Sequence, residues 1–157
     1  MAGKVVVLMG SASDEEVGDR VRETVGTFGV ECELRVASAH RTPKKVLELI
    51  EEYEKEAQER PIVLVAVVGL SNALSGMVAA NTFLPVVTCP TDKGEDLYSS
   101  LRMPSGVAHA TVLKAENAGL HAVRILAVAD KPLQEKIEAY LVEARKKIEE
   151  ADEQLKG

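Results

Sequence analysis

Tryptophan is absent from this 157-residue chain, and with two Phe and three Tyr the aromatics amount to only 3 % of it. A core without large rings must be filled by Val, Leu, Ile and Ala, which suits a parallel sheet covered on both faces. A flavin site, which stacks aromatic rings on its ligand, has few candidate residues here. No basic stripe is present either. With 25 acidic residues against 19 Lys and Arg, the formal net charge of −6 argues against nucleic acid as a partner, because a phosphate backbone demands clustered cations. Small phosphorylated ligands stay open, since a local array of backbone N–H groups outweighs distant carboxylates.

Cysteine is scarce too. Cys32 and Cys89 lie far apart in apolar runs, with no C-x-x-C and no metal-ligand spacing, so they read as reduced core residues. No cluster of His, Cys and carboxylates implies a metal. The longest apolar run, Ile62 to Leu70, falls far short of the roughly 20 residues that span a bilayer. Met1 to Met9 lacks the pattern of a signal peptide. The expectation is a soluble, cytoplasmic protein with no membrane partner. The 46 % hydrophobic content fills one core, so residues 1–157 are expected to form one domain.

What is present is an alternation of strands and helices. Lys4 to Met9 is β-branched and apolar and stops at Gly10, a buried strand. Asp14 to Phe28 carries Val17, Val21, Val25 and Phe28 on one helical stripe, closed by Gly29. Glu31 to Ala37 alternates polar with apolar, a less buried strand. Thr42 and Pro43 suit the cap and first turn of a helix running to about Gln58. Ile62 to Val68 is the most apolar segment and the expected sheet centre. A helix rich in small residues follows over Ser71 to Asn81, then strands at Leu84 to Cys89 and Ala110 to Leu113 and a helix from Glu116 to Ala127. The tail, about 131–156, is a long amphipathic helix expected to pack on a neighbouring subunit as well as on its own domain. Such an alternation builds a parallel sheet with right-handed crossovers, and ligands bind beyond the carboxyl ends of its strands.

Four polar loops stand at those ends: Gly10 to Asp14, Ser38 to Thr42, Gly69 to Asn72 and Pro90 to Gly94. Four converging loops are harder to ascribe to accident than any one. In the first, Ser11, Ser13 and Asp14 at a helix start either cap the helix or help its free N–H groups hold an anion. Asp14 cannot itself face a phosphate, so it caps the helix or holds a sugar hydroxyl. In the second, His40 lies beside Arg41, a proton-transfer group next to a cation suited to an anionic substrate; the alternative is a structural histidine. His109 and His121 read as structural. In the third, Gly69, Ser71 and Asn72 line a tight pocket or merely cap the next helix. No G-x-S-x-G elbow, Walker loop or G-x-G-x-x-G is present, which leaves hydrolase, nucleoside triphosphatase and dehydrogenase readings without their usual support.

Four stretches together closely resemble the PurE family of purine biosynthesis: Met9 to Asp14, Ser38 to Pro43, Gly69 to Gly76 and Tyr98 to Gly106. The resemblance runs from about Lys4 into the C-terminal helix. It implies an α/β, three-layer flavodoxin-like fold with a parallel sheet plus a long C-terminal helix, a homo-oligomer (an octamer), and catalysis without metal or organic cofactor. The family makes 4-carboxy-5-aminoimidazole ribonucleotide (CAIR). One branch adds CO2 to 5-aminoimidazole ribonucleotide (AIR); the other is a mutase that moves a carboxylate from N5 to C4. Ser71, Asn72, Leu74, Ser75 and Gly76 match the carboxylase pattern G-R-S-N-x-L-S-G, whereas the mutases carry His where this chain has Ala73 and Pro where it has Ser75. Two departures stand out: Leu70 replaces the usual Arg of the carboxylases, and Arg41 replaces their usual Lys, as if the guanidinium came from another loop. The resemblance implies that Ser11, Asp14 and more weakly Ser13 bind the ribonucleotide, with Ser38 and Arg41. It makes His40 the proton-transfer group, and has Gly69, Ser71 and Asn72 hold CO2 or the nascent carboxylate. The alternatives are the mutase and a non-catalytic flavodoxin-like binding module.

Overall fold

A computed structural model describes residues 3–91 and 96–156. Five strands form one all-parallel sheet: β1 (Lys4–Met9), β2 (Glu31–Val36), β3 (Ile62–Val68), β4 (Val86–Pro90) and β5 (Ala110–Thr111), in the order β2-β1-β3-β4-β5. This is the flavodoxin-like order expected from the resemblance, with β3 at its centre. In β1 the side chains alternate between two cores. Val5, Val7 and Met9 pack with Val21, Val25 and Phe28, while Val6 and Leu8 pack with Val46, Leu49, Ile50 and Tyr53. Both faces are therefore covered, and the strand reads as a continuous apolar run. Edge strand β2 is only partly buried, which explains its polar alternation.

The helices are α1 (Glu15–Thr27), α2 (Pro43–Glu56), α3 (Leu74–Ala80), α4 (Tyr98–Leu101), α5 (Ala115–Ala127) and α6 (Lys131–Leu155). Helix α1 ends where Gly29 takes φ +72°, a conformation glycine adopts without penalty. Helix α3 begins three residues later than the small-residue stretch suggested, where the Asn72 side chain accepts the Ser75 N–H. Pro43 opens α2 as expected, but Thr42 does not cap it with its side chain. Its hydroxyl turns back instead, accepting from the Ser38 N–H at 2.9 Å and donating to the Ser38 carbonyl at 3.2 Å. Both cysteines are free; burial pushes the Cys32 thiol up to about 12 and the Cys89 thiol up to about 11, so both stay protonated and unreactive.

Helix α6 starts under an Asp130 cap, whose carboxylate accepts from the Leu133 N–H at 2.9 Å. Leu133 and Ile137 are buried, Tyr140 meets Phe28 with ring centroids 5.3 Å apart, and Lys136 donates to the Phe28 carbonyl at 2.7 Å. Beyond these contacts Val142, Ile148 and Leu155 stay exposed. No described helix is long and apolar enough to cross a membrane.

At the amino ends of the strands, Lys4 is 5 % exposed and neutralised by three carboxylates, at 2.7 Å from Glu33, 3.0 Å from Glu56 and 3.8 Å from Glu31. Arg60 bridges Glu31 and Glu56, Arg35 bridges Glu33 and Glu52, and Tyr53 receives the Arg35 guanidinium at 2.8 Å. Burial works to raise the Glu33 and Glu56 carboxyls. Hydrogen bonds from Lys4 and the arginines outweigh it and hold both below the ordinary range. Carboxyls lowered in the folded state stabilise it above their unfolded pKa, and that stabilisation disappears as pH falls through the folded one. The expected result is a loss of stability on acidification below about pH 4.5. The substitution Lys4→Met should lower stability at pH 7 by about 1–3 kcal/mol and flatten that acid limb; urea unfolding at a series of pH values measures both.

Candidate active site

The first strand-end loop is a capping box. The Ser11 hydroxyl accepts from the Ser13 N–H at 3.3 Å, and the Ser11 N–H donates to Asp14 Oδ2 at 3.1 Å. The Ser13 hydroxyl donates to that of Ser11 at 2.9 Å. Burial raises the Asp14 carboxyl above its ordinary value and the Ser11 N–H partly offsets this, which marks a drier setting than open surface. The short turn Ala12–Asp14 puts both serine side chains on the mouth of the pocket described below.

The second loop is held from both ends. The Ala37 N–H donates to the Met9 carbonyl at 2.9 Å, Thr42 clasps Ser38, and the Arg41 N–H donates to the Ser38 hydroxyl at 3.2 Å. Arg41 then reaches across to the first loop, its Nη2 donating to the Gly10 carbonyl at 3.3 Å. His40 rides on this rigid turn, exposed, with no described residue hydrogen-bonded to its imidazole.

In the third loop Gly69 lies in a gap that only glycine leaves open: a Cβ there would come within 2.7 Å of Thr91 Oγ1. Leu70 takes φ +50°, a left-handed conformation that costs a non-glycine residue on the order of 1 kcal/mol. Its side chain is 78 % exposed at the pocket mouth. Among the described residues nothing accepts the N–H groups of Leu70 and Ser71. Asn72 is different. It is 8 % exposed, and its amide nitrogen donates to the Ser75 and Ser100 hydroxyls at 2.9 and 3.0 Å. Its amide oxygen accepts the Ser75 N–H at 3.0 Å and its own N–H goes to the Ser99 hydroxyl at 2.9 Å. Both amide hydrogens are engaged, and the Asn72 side chain ties α4 to the start of α3 while also lining the cavity described below.

These loops enclose one cavity of about 840 Å³ at the carboxyl ends of β1, β2 and β3, large enough for a nucleotide-sized ligand. Ser11, Ser13, Asp14, Ser38, His40, Arg41, Gly69, Ser71 and Asn72 all line it. Of the fourth loop, Thr91 lines the cavity, while residues 92–94 lie outside the described residues. Thr91 belongs to the fourth loop expected from the sequence, which assigned it no individual role. Its only sequence signal is its place at the end of β4. No described lining residue is aromatic, which disfavours a flavin. His109 stands apart, with Nδ1 2.9 Å from the Thr88 hydroxyl and its basicity lowered by burial. His121 lies on α5, away from the cavity. Among the described residues no three His, Cys, Asp or Glu side chains gather as a metal site.

Comparison with known proteins gives a consistent picture. The sequence profile of a family described as AIR carboxylase matches residues 4–147. The chain is 47 % identical to a phosphoribosylaminoimidazole carboxylase of Archaeoglobus fulgidus, over 98 % of this chain and 85 % of that protein. It is 39 % identical to an N5-carboxyaminoimidazole ribonucleotide mutase of Methanocaldococcus jannaschii, over 97 % of both. The crystal structure of Treponema denticola PurE superimposes with a TM-score of 0.94 at 39 % identity, covering 99 % of each chain.

The spent amide of Asn72 predicts how its variants behave. Asn72→Ala should destabilise the ligand-free protein by about 1–3 kcal/mol, because it strands buried hydroxyls and an N–H. Asn72→Asp should keep most of the stability, since the Ser75 and Ser100 hydroxyls can rotate to donate to a carboxylate. Denaturant unfolding of the two variants side by side checks this.

Proposed function

The chain belongs to the AIR carboxylase (PurE) family of purine biosynthesis, and from that membership we propose that it adds CO2 to C4 of AIR to give CAIR, with His40 as the proton-transfer group. The observation that carries the reading is the placement of His40. It is the one histidine among the described lining residues, and it stands free on a braced turn at the end of β2. Across the cavity are Gly69, Leu70 and Ser71, whose backbone N–H groups and the Ser71 hydroxyl suit a carboxylate.

In this mechanism the first loop holds the ribonucleotide through Ser11 and Ser13, with Asp14 placed for sugar hydroxyls rather than phosphate. Ser38 and Arg41 contact the same nucleotide from the second loop. The enamine-like C4 attacks the carbon of CO2, forming the C4–carboxylate bond and leaving C4 with both a hydrogen and the new group. His40 then takes that hydrogen as a proton, and the electron pair of the C–H bond restores the aromatic ring. AIR and CO2 thus give CAIR and one proton, with no oxidant or reductant. Asn72 contributes by holding the turn that presents Ser71. Arg41 bonded to the Gly10 carbonyl supports the idea that it supplies the planar cation that Leu70 does not. An Arg is not equivalent to a Lys there, because its fork fixes direction as well as charge.

The mutase is the nearest competing reading, since relatives of both names match, the carboxylase at 47 % and the mutase at 39 % identity. The run Ser71-Asn72-Ala73-Leu74-Ser75-Gly76 favours the carboxylase. The chain is further proposed to work in the cytoplasm as a homo-octamer, supported by the unpartnered apolar residues on the outer half of α6. Sedimentation velocity should give the mass of an octamer; a monomer would overturn this part.

Supplying purified protein with AIR plus bicarbonate, or with the N5-carboxylated nucleotide, separates the two readings: CAIR is expected from the first. His40→Asn should lower kcat by about 10²–10⁴-fold with unchanged circular dichroism. Near-normal turnover in that variant would remove His40 from the mechanism.

A further inference from the structure

We propose that Thr91 is a substrate-binding residue, its hydroxyl oxygen accepting a hydrogen bond from a ribose hydroxyl lodged in the notch over Gly69. The inference rests on the reading of the cavity as a ribonucleotide site and assigns a further residue to it.

Thr91 follows the last residue of β4 and is tied to the end of β3 twice. Its N–H donates to the Val68 carbonyl at 2.7 Å and its hydroxyl donates to the same oxygen at 3.2 Å. With the hydroxyl hydrogen directed at Val68, what Oγ1 offers to the cavity is lone pairs. That oxygen sits beside the empty face of Gly69, 2.7 Å from where a Cβ would be. Asp14 Oδ1 lies 3.8 Å from that same point, while Asp14 Oδ2 is occupied by the Ser11 N–H. Two acceptors, one of them a carboxylate, therefore stand close to the bare Gly69 backbone, and all three residues line the cavity.

Such a pair of acceptors selects its occupant by chemistry. A phosphate would meet a carboxylate and a lone pair and be repelled. An apolar ring edge would leave both oxygens unpaired on losing water. A group carrying O–H donors satisfies both, and the ribose of the nucleotide carries two adjacent hydroxyls. The same geometry accounts for Gly69: any Cβ there would press on the Thr91 hydroxyl and move it.

The test measures AIR binding by isothermal titration to wild type, Thr91→Val and Thr91→Ser, with melting temperatures as a check on folding. Thr91→Val keeps the branched shape and removes the oxygen. It should bind AIR about five- to tenfold more weakly, and Thr91→Ser should stay within about twofold of wild type. The 2′,3′-dideoxy form of AIR should bind wild type and Thr91→Val within about twofold of each other, because the donor is missing from the ligand. Equal AIR affinity of Thr91→Val and wild type overturns the proposal, as does a serine variant as weak as the valine one. A dideoxy ligand that loses as much as AIR would place the donor elsewhere on the nucleotide and overturn it too. Wild-type protein that binds no AIR would defeat the ribonucleotide reading itself, a result distinct from all of these.

Discussion

The parallel pairing of β1 with both β2 and β3 is the constraint on which the remaining architecture depends. Right-handed crossovers that run in opposite directions across the sheet, from β1 to β2 and from β2 back to β3, must cover opposite faces. Helix α1 therefore packs with Val5, Val7 and Met9, and α2 with Val6 and Leu8. The loops after β1 and β3 separate as they leave for different layers, and the crevice between them is the cavity. Serine and glycine in those loops follow from the crowding there. Gly69 has room only for a hydrogen beside Thr91, and the Ser11 and Ser38 hydroxyls fold back to close their own turns.

Hydrogen bonds within the loops decide which polar groups remain available to a ligand. Asn72 looks like a ligand-binding residue by type and place, yet every donor it has is taken. Arg41 is tethered through Nε to the Ser38 hydroxyl and through Nη2 to the Gly10 carbonyl, which leaves Nη1 without a partner among the described residues, and His40 is held by its backbone alone. A site of this kind is rigid where the turns are clasped and open where chemistry is needed, which limits the reorganisation a reaction must carry out.

Much of this was legible in the residues. The apolar runs of β1 and β3, the partial alternation of β2 and the valine stripe of α1 are direct consequences of burial on two faces, one face or a helical stripe. The four loops could be located because each follows a strand of that kind. What pattern could not supply was the direction of individual side chains. Thr42 has the sequence position of a cap and spends its hydroxyl on Ser38 instead. Asn72 read equally as a cap or a ligand-binding group, and its partners Ser99 and Ser100 lie 27 and 28 positions away, beyond any local pattern. Thr91 fell in an expected loop but received no role of its own, because a lone threonine at a strand end has no signature until Gly69 and Asp14 are brought to it. The charge cluster around Lys4 was equally hidden, since its members are drawn from β1, β2 and α2.

That cluster lies at the opposite end of the sheet from the cavity, about 20 Å away along the six residues of β1. All five strands point the same way, so their starts carry the ion pairs and their ends carry the ligand-facing loops. Lineages of such a protein can then change Glu31, Glu52 or Arg60 to suit a hotter or more acidic habitat without disturbing the groups around His40. They can equally vary residues such as Leu70 without loosening the frame. A directional sheet makes thermal adaptation and catalytic adaptation nearly independent evolutionary variables.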